Sequence, residues 1–446
     1  MAGRALTPVS IVIFSFVLLI AVGTALLSIP GAARVPISFT DALFTATSSV
    51  CVTGLIVLDT AKDFTLPGQI IILGLIQLGG LGIMTVSLAL ILLVSEQLSV
   101  SWQFTLMEMY GKGKKLPIRL ILKNIIVFTA ISEGAVMILL FPGFLRDYPP
   151  HTALWHSLFH AVSSFCNAGF STFTSSLIAY AGDWYMITVI SASIILGGLG
   201  FLVLSDIIRF RKYHLVKAFT MYSLHTKVVL VTSILLLLAG TLFFYVSEQE
   251  NIIRGMSLSK QLCVSFFHSV SCRTAGFNSI PLTQLSDNTL FFMILLMVIG
   301  GSPGSIAGGI KTTTAWVICA IIIGRIRRQD QLVFWKRAIS SGTVERSTTL
   351  LILALFFISA MTLVLSSFNN LPGDTPFIDI LFETASAFGT VGLSTGVTGT
   401  LSSGGKIAVV ATMFVGRLGP LTFLTLVSSG RKKSGVRYPE ENMMIG

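Results

Sequence analysis

Eight apolar runs limit what this chain can fold into, because several of them reach or exceed the length needed to cross a bilayer. A helix needs ~20 mostly apolar residues to span the hydrocarbon core. Only 11% of the residues are charged, against roughly 25% in an average soluble domain. The pattern predicts an all-α polytopic membrane protein with eight transmembrane helices. The predicted spans are 8–29, 67–95, 119–142, 183–206, 227–246, 288–325, 347–367 and 404–429.

The basic residues are distributed unevenly along the chain. Of the 30 Lys and Arg residues, 21 lie at Arg4, in 96–124, 207–228 and 325–346, and in the tail 431–437. Basic clusters that alternate with segments poor in Lys and Arg follow the positive-inside rule. We therefore expect a multi-pass protein of the cell membrane with both termini in the cytoplasm. The net charge of +11 then reflects topology, and we expect no nucleic-acid partner.

Four short segments on the other side of the predicted membrane resemble one another. They read DALFTATSSVCVTGL (41–55), HSLFHAVSSFCNAGF (156–170), CVSFFHSVSCRTAGF (263–277) and DILFETASAFGTVGL (379–393). Each has a Phe ten residues before a Gly, with small or hydroxyl residues between them. We predict a helix of about ten residues, too short to span, followed by an extended piece. The four extended pieces are Cys51, Val52, Thr53, Gly54; Cys166, Asn167, Ala168, Gly169; Arg273, Thr274, Ala275, Gly276; and Gly389, Thr390, Val391, Gly392.

Extended backbone of this kind is tolerated at membrane depth only where protein buries it or where it lines a water-filled cavity. Four copies in one chain can place their carbonyls around a shared axis, with the glycines supplying the unusual dihedral angles. A ring of backbone carbonyls replaces the hydration shell of the ion in potassium filters. The pattern therefore predicts K+ as the transported ion, bound through filter carbonyls, and no other cofactor in this chain.

A second glycine element follows each predicted filter at a nearly constant distance. It reads GGLG at 79–82 and 197–200, GGSPG at 300–304 and GRLG at 416–419. The element begins 24 to 28 residues after the filter glycine. The chain thus divides into four tandem units of span, pore helix, filter and span around a pseudo-fourfold pore. The predicted units are 1–100, 101–215, 216–335 and 336–430, followed by a C-terminal tail, 431–446.

The motifs CVTGL, CNAGFS, RTAGFNS and GTVGLSTG resemble the four filter signatures of the Trk/Ktr/HKT superfamily of potassium transporters, and FVGRLGPLT resembles its last helix. The resemblance covers nearly the whole chain and is closest to the Ktr-type membrane subunit, KtrB. One departure is Cys51, where Thr is more usual. The resemblance implies a bacterial homodimer with one pore per subunit. It also implies a separate cytosolic KtrA-like ring that binds a nucleotide, either ATP/ADP or NAD, and controls opening.

A helix break is predicted within the apolar run 288–325. Residues 300–311 contain five Gly and one Pro, which together cost roughly 7–8 kcal/mol of helix propensity relative to alanine. The resemblance implies an intramembrane loop at this point, below the filter. We predict a gate formed by this loop and two cations, each costing about 2.5–3.5 kcal/mol at membrane depth. The predicted gate residues are Gly300, Gly301, Ser302, Pro303, Gly304, Ser305, Gly308, Gly309, Lys311 and Arg417.

Alternatives remain open at this point. Arg417 could instead cap carbonyls freed by the broken helix, and Lys311 could lie at the cytoplasmic mouth. A Na+-coupled secondary transporter (a K+/Na+ symporter) is the rival function, and it predicts inverted repeats, whereas these four run in the same direction. An intramembrane enzyme would need a nucleophile and base or paired carboxylates. No such arrangement occurs at useful spacing on the spans, so we predict that the chain is not an enzyme.

Overall fold

The computed structural model describes residues 8–82, 118–328, 331–335, 337–368 and 375–419. These ranges are helical apart from one two-stranded hairpin, two 3-10 turns and the connecting loops. The helices are α1 Pro8–Leu27, α2 Phe39–Val50, α3 Leu66–Gly80, α4 Ile118–Phe144, α5 Pro150–Phe165, α6 Trp184–Leu199, α7 Phe201–Phe210, α8 Leu215–Met221, α9 Leu224–Glu248, α10 Leu258–Ser271, α11 Asp287–Val298, α12 Thr312–Ile326, α13 Ser341–Ser366, α14 Phe377–Gly389, α15 Val397–Thr400 and α16 Ser403–Leu418; the strands are β1 Val333–Phe334 and β2 Arg337–Ala338.

Three of the described helices are long and apolar enough to cross a membrane, namely Lys123–Phe144 within α4, α9 and α13. The bent pair α6 and α7 brings the number to four if it is counted as one span. The count is below the expected eight because helices α11 and α12 are separated by a loop. In addition, the predicted spans 67–95 and 404–429 continue into residues outside the described ranges.

The predicted span 183–206 is divided into two helices. Helices α6 and α7 meet at Gly200 with a bend of 102°. Gly200 has a φ of +86°, which ends α6, and the next amide, of Phe201, donates a hydrogen bond to the Gly304 carbonyl at 3.2 Å. The bend lies at the last glycine of the second glycine element, and the glycines at the matching positions, Gly82 and Gly419, also have positive φ, +81° and +84°.

The four predicted pore helices are present as α2, α5, α10 and α14. They contain 12, 16, 14 and 13 residues, more than the predicted ten but still too few to span. Their C-terminal halves consist largely of buried small and hydroxyl residues. Some of the hydroxyls bond within the helix, as in Ser49 to the Thr45 carbonyl (2.7 Å) and Thr384 to the Ile380 carbonyl (2.9 Å). These bonds allow the two hydroxyls to be buried deep inside the protein.

Candidate ion pathway

The four segments that follow the pore helices share one backbone shape. The residue two positions before each glycine has a positive φ: +55° at Val52, +56° at Asn167, +67° at Thr274 and +49° at Thr390. Such dihedral angles are uncommon for non-glycine residues and are outliers for β-branched ones. The glycines also lie at positive φ, with +91° at Gly54, +69° at Gly169, +76° at Gly276 and +93° at Gly392.

The four glycines lie next to one another in a closed order. A Cβ placed on Gly54 would lie 3.0 Å from the Cα of Gly169, and one on Gly169 would lie 2.9 Å from the Cα of Gly276. A Cβ on Gly276 would lie 3.3 Å from the Cα of Gly392, and one on Gly392 would lie 2.9 Å from the Cα of Gly54. The four segments therefore form a ring in chain order, which we call the glycine ring. At each of the four glycines the nearest backbone atom lies less than 3.0 Å from the added Cβ, closer than a side chain tolerates, so glycine is required.

Carbonyl groups occupy the same ring. The nearest atom to a Cβ on Gly54 is the Ala168 oxygen at 2.4 Å, and the nearest to a Cβ on Gly392 is the Thr53 oxygen at 2.1 Å. For Gly276 it is the Val391 oxygen at 2.5 Å. The residue before one glycine thus places its carbonyl beside the neighbouring segment.

Serine hydroxyls at the ends of the pore helices anchor the segments, a role that the sequence reasoning missed. The Ser48 hydroxyl accepts from the Gly54 amide at 3.1 Å and donates to the Leu55 carbonyl at 2.7 Å. Ser386 likewise accepts from the Gly392 amide at 3.1 Å. Ser163 donates to the Phe170 carbonyl at 2.7 Å, and Ser271 donates to the Phe277 carbonyl. The sequence feature that could have predicted this role is a Ser five or six residues before each of the four glycines.

The second glycine element packs against the pore-helix ends. A Cβ on Gly79, Gly197 or Gly416 would lie 2.0 Å from the carbonyl oxygen of Val50, Phe165 or Phe388, respectively. In the third unit the contact is different. A Cβ on Gly300 would instead lie 2.0 Å from the Gly308 carbonyl, and one on Gly308 would lie 2.1 Å from the Thr390 hydroxyl. A stretch of the 299–311 loop therefore lies between α11 and the fourth segment.

The predicted break in the helix is present. Helix α11 ends at Val298 and α12 begins at Thr312. The loop folds back on itself through bonds from the Gly300 amide to the Ile310 carbonyl (2.9 Å) and from the Ile310 amide to the Val298 carbonyl (3.0 Å). It also reaches the α6 terminus, where the Ser302 amide donates to the Gly198 carbonyl at 3.1 Å.

Both predicted intramembrane cations bind loop carbonyls. Arg417 donates through one terminal nitrogen to the Ile306 carbonyl and through the other to the Gly79 carbonyl at 2.7 Å. Lys311 donates through Nζ to the next loop carbonyl, that of Ala307, at 2.7 Å. Within the part of the chain that the structure describes, neither cation forms a salt bridge with a carboxylate. Arg417 therefore caps backbone carbonyls, which was the alternative to gating that the sequence left open.

Arg273 and Asn167 are directed into protein behind the glycine ring. Arg273 is 7% exposed, and its guanidinium donates to the Ser233 hydroxyl of α9 at 3.1 Å. The Asn167 amide lies 3.4 Å from the Thr274 hydroxyl. With its nitrogen turned the other way, it donates to the carbonyls of Ser164 and Ile194 at 3.0 and 3.2 Å. Both side chains thus connect the segments to surrounding helices.

Glu383 in α14 is the buried acid nearest to the fourth segment along the chain, nine residues before Gly392. It accepts hydrogen bonds from the Ser394 hydroxyl and from the Thr398 hydroxyl, the latter at 2.6 Å. Ser394 also accepts from the Gly396 amide at 2.9 Å. The carboxylate therefore orders the chain that leaves the segment.

Comparison with known proteins identifies the family. A family model described as TrkH, cation transport protein, matches residues 3–433. The chain belongs to this family. A potassium/sodium uptake protein, NtpJ, from Enterococcus hirae is 37% identical over 99% of this chain and 98% of its own length. The Ktr system potassium uptake proteins B of Vibrio alginolyticus and Bacillus subtilis are 36% and 35% identical, over 98% and 99% of this chain and 94% and 97% of their own lengths.

The fold has a solved counterpart. The crystal structure of the potassium transporter TrkH from Vibrio parahaemolyticus matches with a TM-score of 0.75, covers 96% of this chain and 86% of its own, and is 17% identical. At 17% sequence identity, this structural similarity establishes the fold of the chain and nothing further. Membership of a family of membrane cation transporters also confirms the prediction that the chain is not an enzyme.

Proposed function

We propose that this TrkH-family chain is the potassium-translocating membrane subunit of a Ktr-type uptake system. The observation that carries the proposal is the glycine ring, in which four segments with the same backbone shape meet and place carbonyls between neighbours. Two relatives of nearly the same length are named Ktr system potassium uptake protein B. In this proposal the four tandem units form one pseudo-fourfold pore in each subunit.

The sixteen filter residues predicted from sequence act through their backbone in this proposal. Carbonyls such as those of Thr53, Ala168 and Val391 replace water around K+. The C-terminal ends of four pore helices, each with a partial negative charge, adjoin the same ring. With one glycine per segment the filter has few coordinating layers, so we expect only weak discrimination of K+ from Na+.

The loop 299–311 and Arg417 are the proposed gate. The loop contacts the α6 terminus, and its Gly308 lies beside Thr390 of the fourth segment. Arg417 connects the loop at Ile306 to α3 at Gly79. In the closed state a cation at this position opposes the passage of K+, and opening breaks its carbonyl contacts so that the loop can move aside.

Control by a partner completes the proposal. Since the relatives are named as parts of a Ktr system, we infer that a cytosolic KtrA-like ring binds a nucleotide and drives the loop. We also infer that two copies of this chain form a homodimer in the cell membrane, with both termini in the cytoplasm.

A second function has one observation in its favour. The relative from Enterococcus hirae carries both ions in its name, potassium/sodium uptake protein. A Na+-coupled symporter would take up K+ only when Na+ is present and would saturate with both ions. A pore would carry K+ without Na+.

The test is uptake of K+ and Na+ by cells that lack their own uptake systems, comparing the native chain with Gly54→Ser. A serine Cβ would press against the Ala168 carbonyl at 2.4 Å, so we expect the weak preference of uptake for K+ over Na+ to be lost. Gly31→Ser is the matched control, since Gly31 also has a positive φ (+102°) but has no atom within 4 Å of its added Cβ. Equal selectivity in both variants would show that the glycine ring is not part of the ion path.

A further inference from the structure

Aromatic side chains from helices α7, α8 and α12, from the loops that flank α8 and from the hairpin form one connected surface, which we call the aromatic–basic surface. Trp316 of α12 stacks on Trp335 of the hairpin at 6.0 Å between centroids and 17° between planes. Trp335 also contacts Phe219 of α8 edge-on at 6.2 Å. Chains of ring contacts join the remaining members. The full set is Phe210, Tyr213, Phe219, Tyr222, Trp316, Phe334 and Trp335.

Basic residues lie on and beside these rings. The Arg209 guanidinium lies 5.3 Å from the Phe210 ring centroid, and Lys217 Nζ lies 5.3 Å from that of Tyr213. Residues 207–228 contain five Lys and Arg residues and no Asp or Glu. The end of α12 adds three more cations. The exposed members are Arg209, Arg211, Lys212, Lys217, Arg325, Arg327 and Arg328.

The connections around this surface are short. Thirteen residues, 211–223, separate the end of α7 from the start of α9, and seven of them form α8. Helix α9 then continues as a 25-residue apolar helix long enough to span. Fourteen residues, 327–340, separate α12 from α13, and they include the hairpin. The surface therefore lies near the ends of two helices, α9 and α13, that are long and apolar enough to span.

Exposed apolar side chains are interspersed with the charges. Val216 on α8 is 71% exposed, and Ile326 at the end of α12 is 77% exposed. Trp335 is 40% exposed. Short elements with exposed apolar residues, tryptophan and many Lys or Arg residues are typical of protein that lies in the headgroup region.

We propose that the aromatic–basic surface binds the headgroups of anionic phospholipids. The apolar side chains enter the acyl boundary, and Arg211, Lys212 and Lys217 face the phosphates. Attraction of this kind is strong near an anionic bilayer surface and decays within a Debye length. The proposal does not depend on which cation the chain transports.

The experiment uses the full chain reconstituted in vesicles of phosphatidylcholine and phosphatidylglycerol, with one of the two lipids brominated in the acyl chain. Bromine quenches tryptophan fluorescence at short range, so the difference signal between the native chain and Trp335→Phe reports the lipid beside Trp335. We expect severalfold stronger quenching when phosphatidylglycerol is the brominated lipid, and a loss of that preference at high ionic strength. The triple variant Arg211→Gln, Lys212→Gln, Lys217→Gln should also lose most of the preference.

Trp184 is the matched control, obtained from the difference signal of Trp184→Phe. It is similarly exposed, at 41%, and lies at the opposite end of the α6–α7 pair, beside the paired charges Arg146 and Asp183. It should show no preference between the lipids. Equal quenching of Trp335 by both lipids would overturn the proposal. So would an absence of quenching by either lipid, since the surface would then face water and fit a soluble partner.

Discussion

The glycine ring and the layer of second glycine elements beneath it are built from the same four units, yet they differ in symmetry. In the ring, every segment has a positive φ two residues before its glycine and again at the glycine. In the layer beneath, α11 is interrupted by a loop, and Arg417 replaces a glycine in the fourth unit. Holding one ion requires equivalent positions, whereas one movable loop suffices to close a path. We therefore propose that the ring provides selectivity and that the lower layer provides the gate.

The largest effect is expected from Gly392→Ala, which alters the glycine ring. An added Cβ would lie 2.1 Å from the Thr53 carbonyl oxygen, so the fourth segment must move, and we expect K+ uptake to fall at least tenfold. Uptake by cells at limiting K+ measures this. Gly396→Ala is the control, because its φ is similar (+99°) and its Cβ would meet only Thr283, at 3.9 Å. An equal loss in both variants would show that backbone strain, rather than the ring, causes it.

Arg417→Gln should have the next largest effect, in the opposite direction. The variant loses charge-assisted bonds to the Ile306 and Gly79 carbonyls, each worth about 1.5–3 kcal/mol. We expect K+ flux through proteoliposomes without any cytosolic partner to rise at least tenfold, since the loss of even one such bond exceeds about 1.4 kcal/mol, which corresponds to a factor of ten. Unchanged flux would show that Arg417 only caps carbonyls. The layer that contains the 299–311 loop and Arg417 would then not be the barrier to K+.

A smaller effect is expected where the ring is anchored to its pore helix. Ser48→Ala removes the partner of the Gly54 amide and the Leu55 carbonyl, which should reduce the free energy of unfolding by about 1–3 kcal/mol and reduce K+ selectivity over Na+. Ser49→Ala is an adjacent, fully buried control whose hydroxyl bonds only within the helix, to Thr45. Both variants are compared by thermal unfolding and by ion competition. If Ser49→Ala changed selectivity as much, the anchor would not be specific.

The smallest effect concerns the closure of the ring between the first and fourth units. Lys406 at the start of α16 pairs with Asp41 in the first turn of α2 at 2.6 Å, and both side chains are less than one-fifth exposed. Because partly exposed ion pairs contribute little, we expect Lys406→Met to cost about 1 kcal/mol of unfolding free energy. A double-mutant cycle with Asp41→Asn measures the coupling. A coupling of zero would mean that apolar packing alone closes the ring.

The sequence predicted the features that glycine and proline encode locally. The pore helices, the four glycines and the break at 299–311 follow from composition and spacing, because a helix with that many glycines cannot continue. The positive φ at Val52, Thr274 and Thr390 could not be predicted, since β-branched residues rarely adopt it without tertiary support. The carbonyl partners of Arg417 could not be predicted either, because Ile306 and Gly79 lie more than 100 positions away in the chain.

The most direct test of the central claim is to locate the ion. Crystals of the protein grown with Rb+ or Tl+ in place of K+ would reveal the bound cation by its anomalous scattering. The account predicts a peak on the axis of the ring formed by Gly54, Gly169, Gly276 and Gly392, within coordination distance of the surrounding carbonyls. A ring without a peak, together with a cation bound elsewhere among the helices, would contradict it.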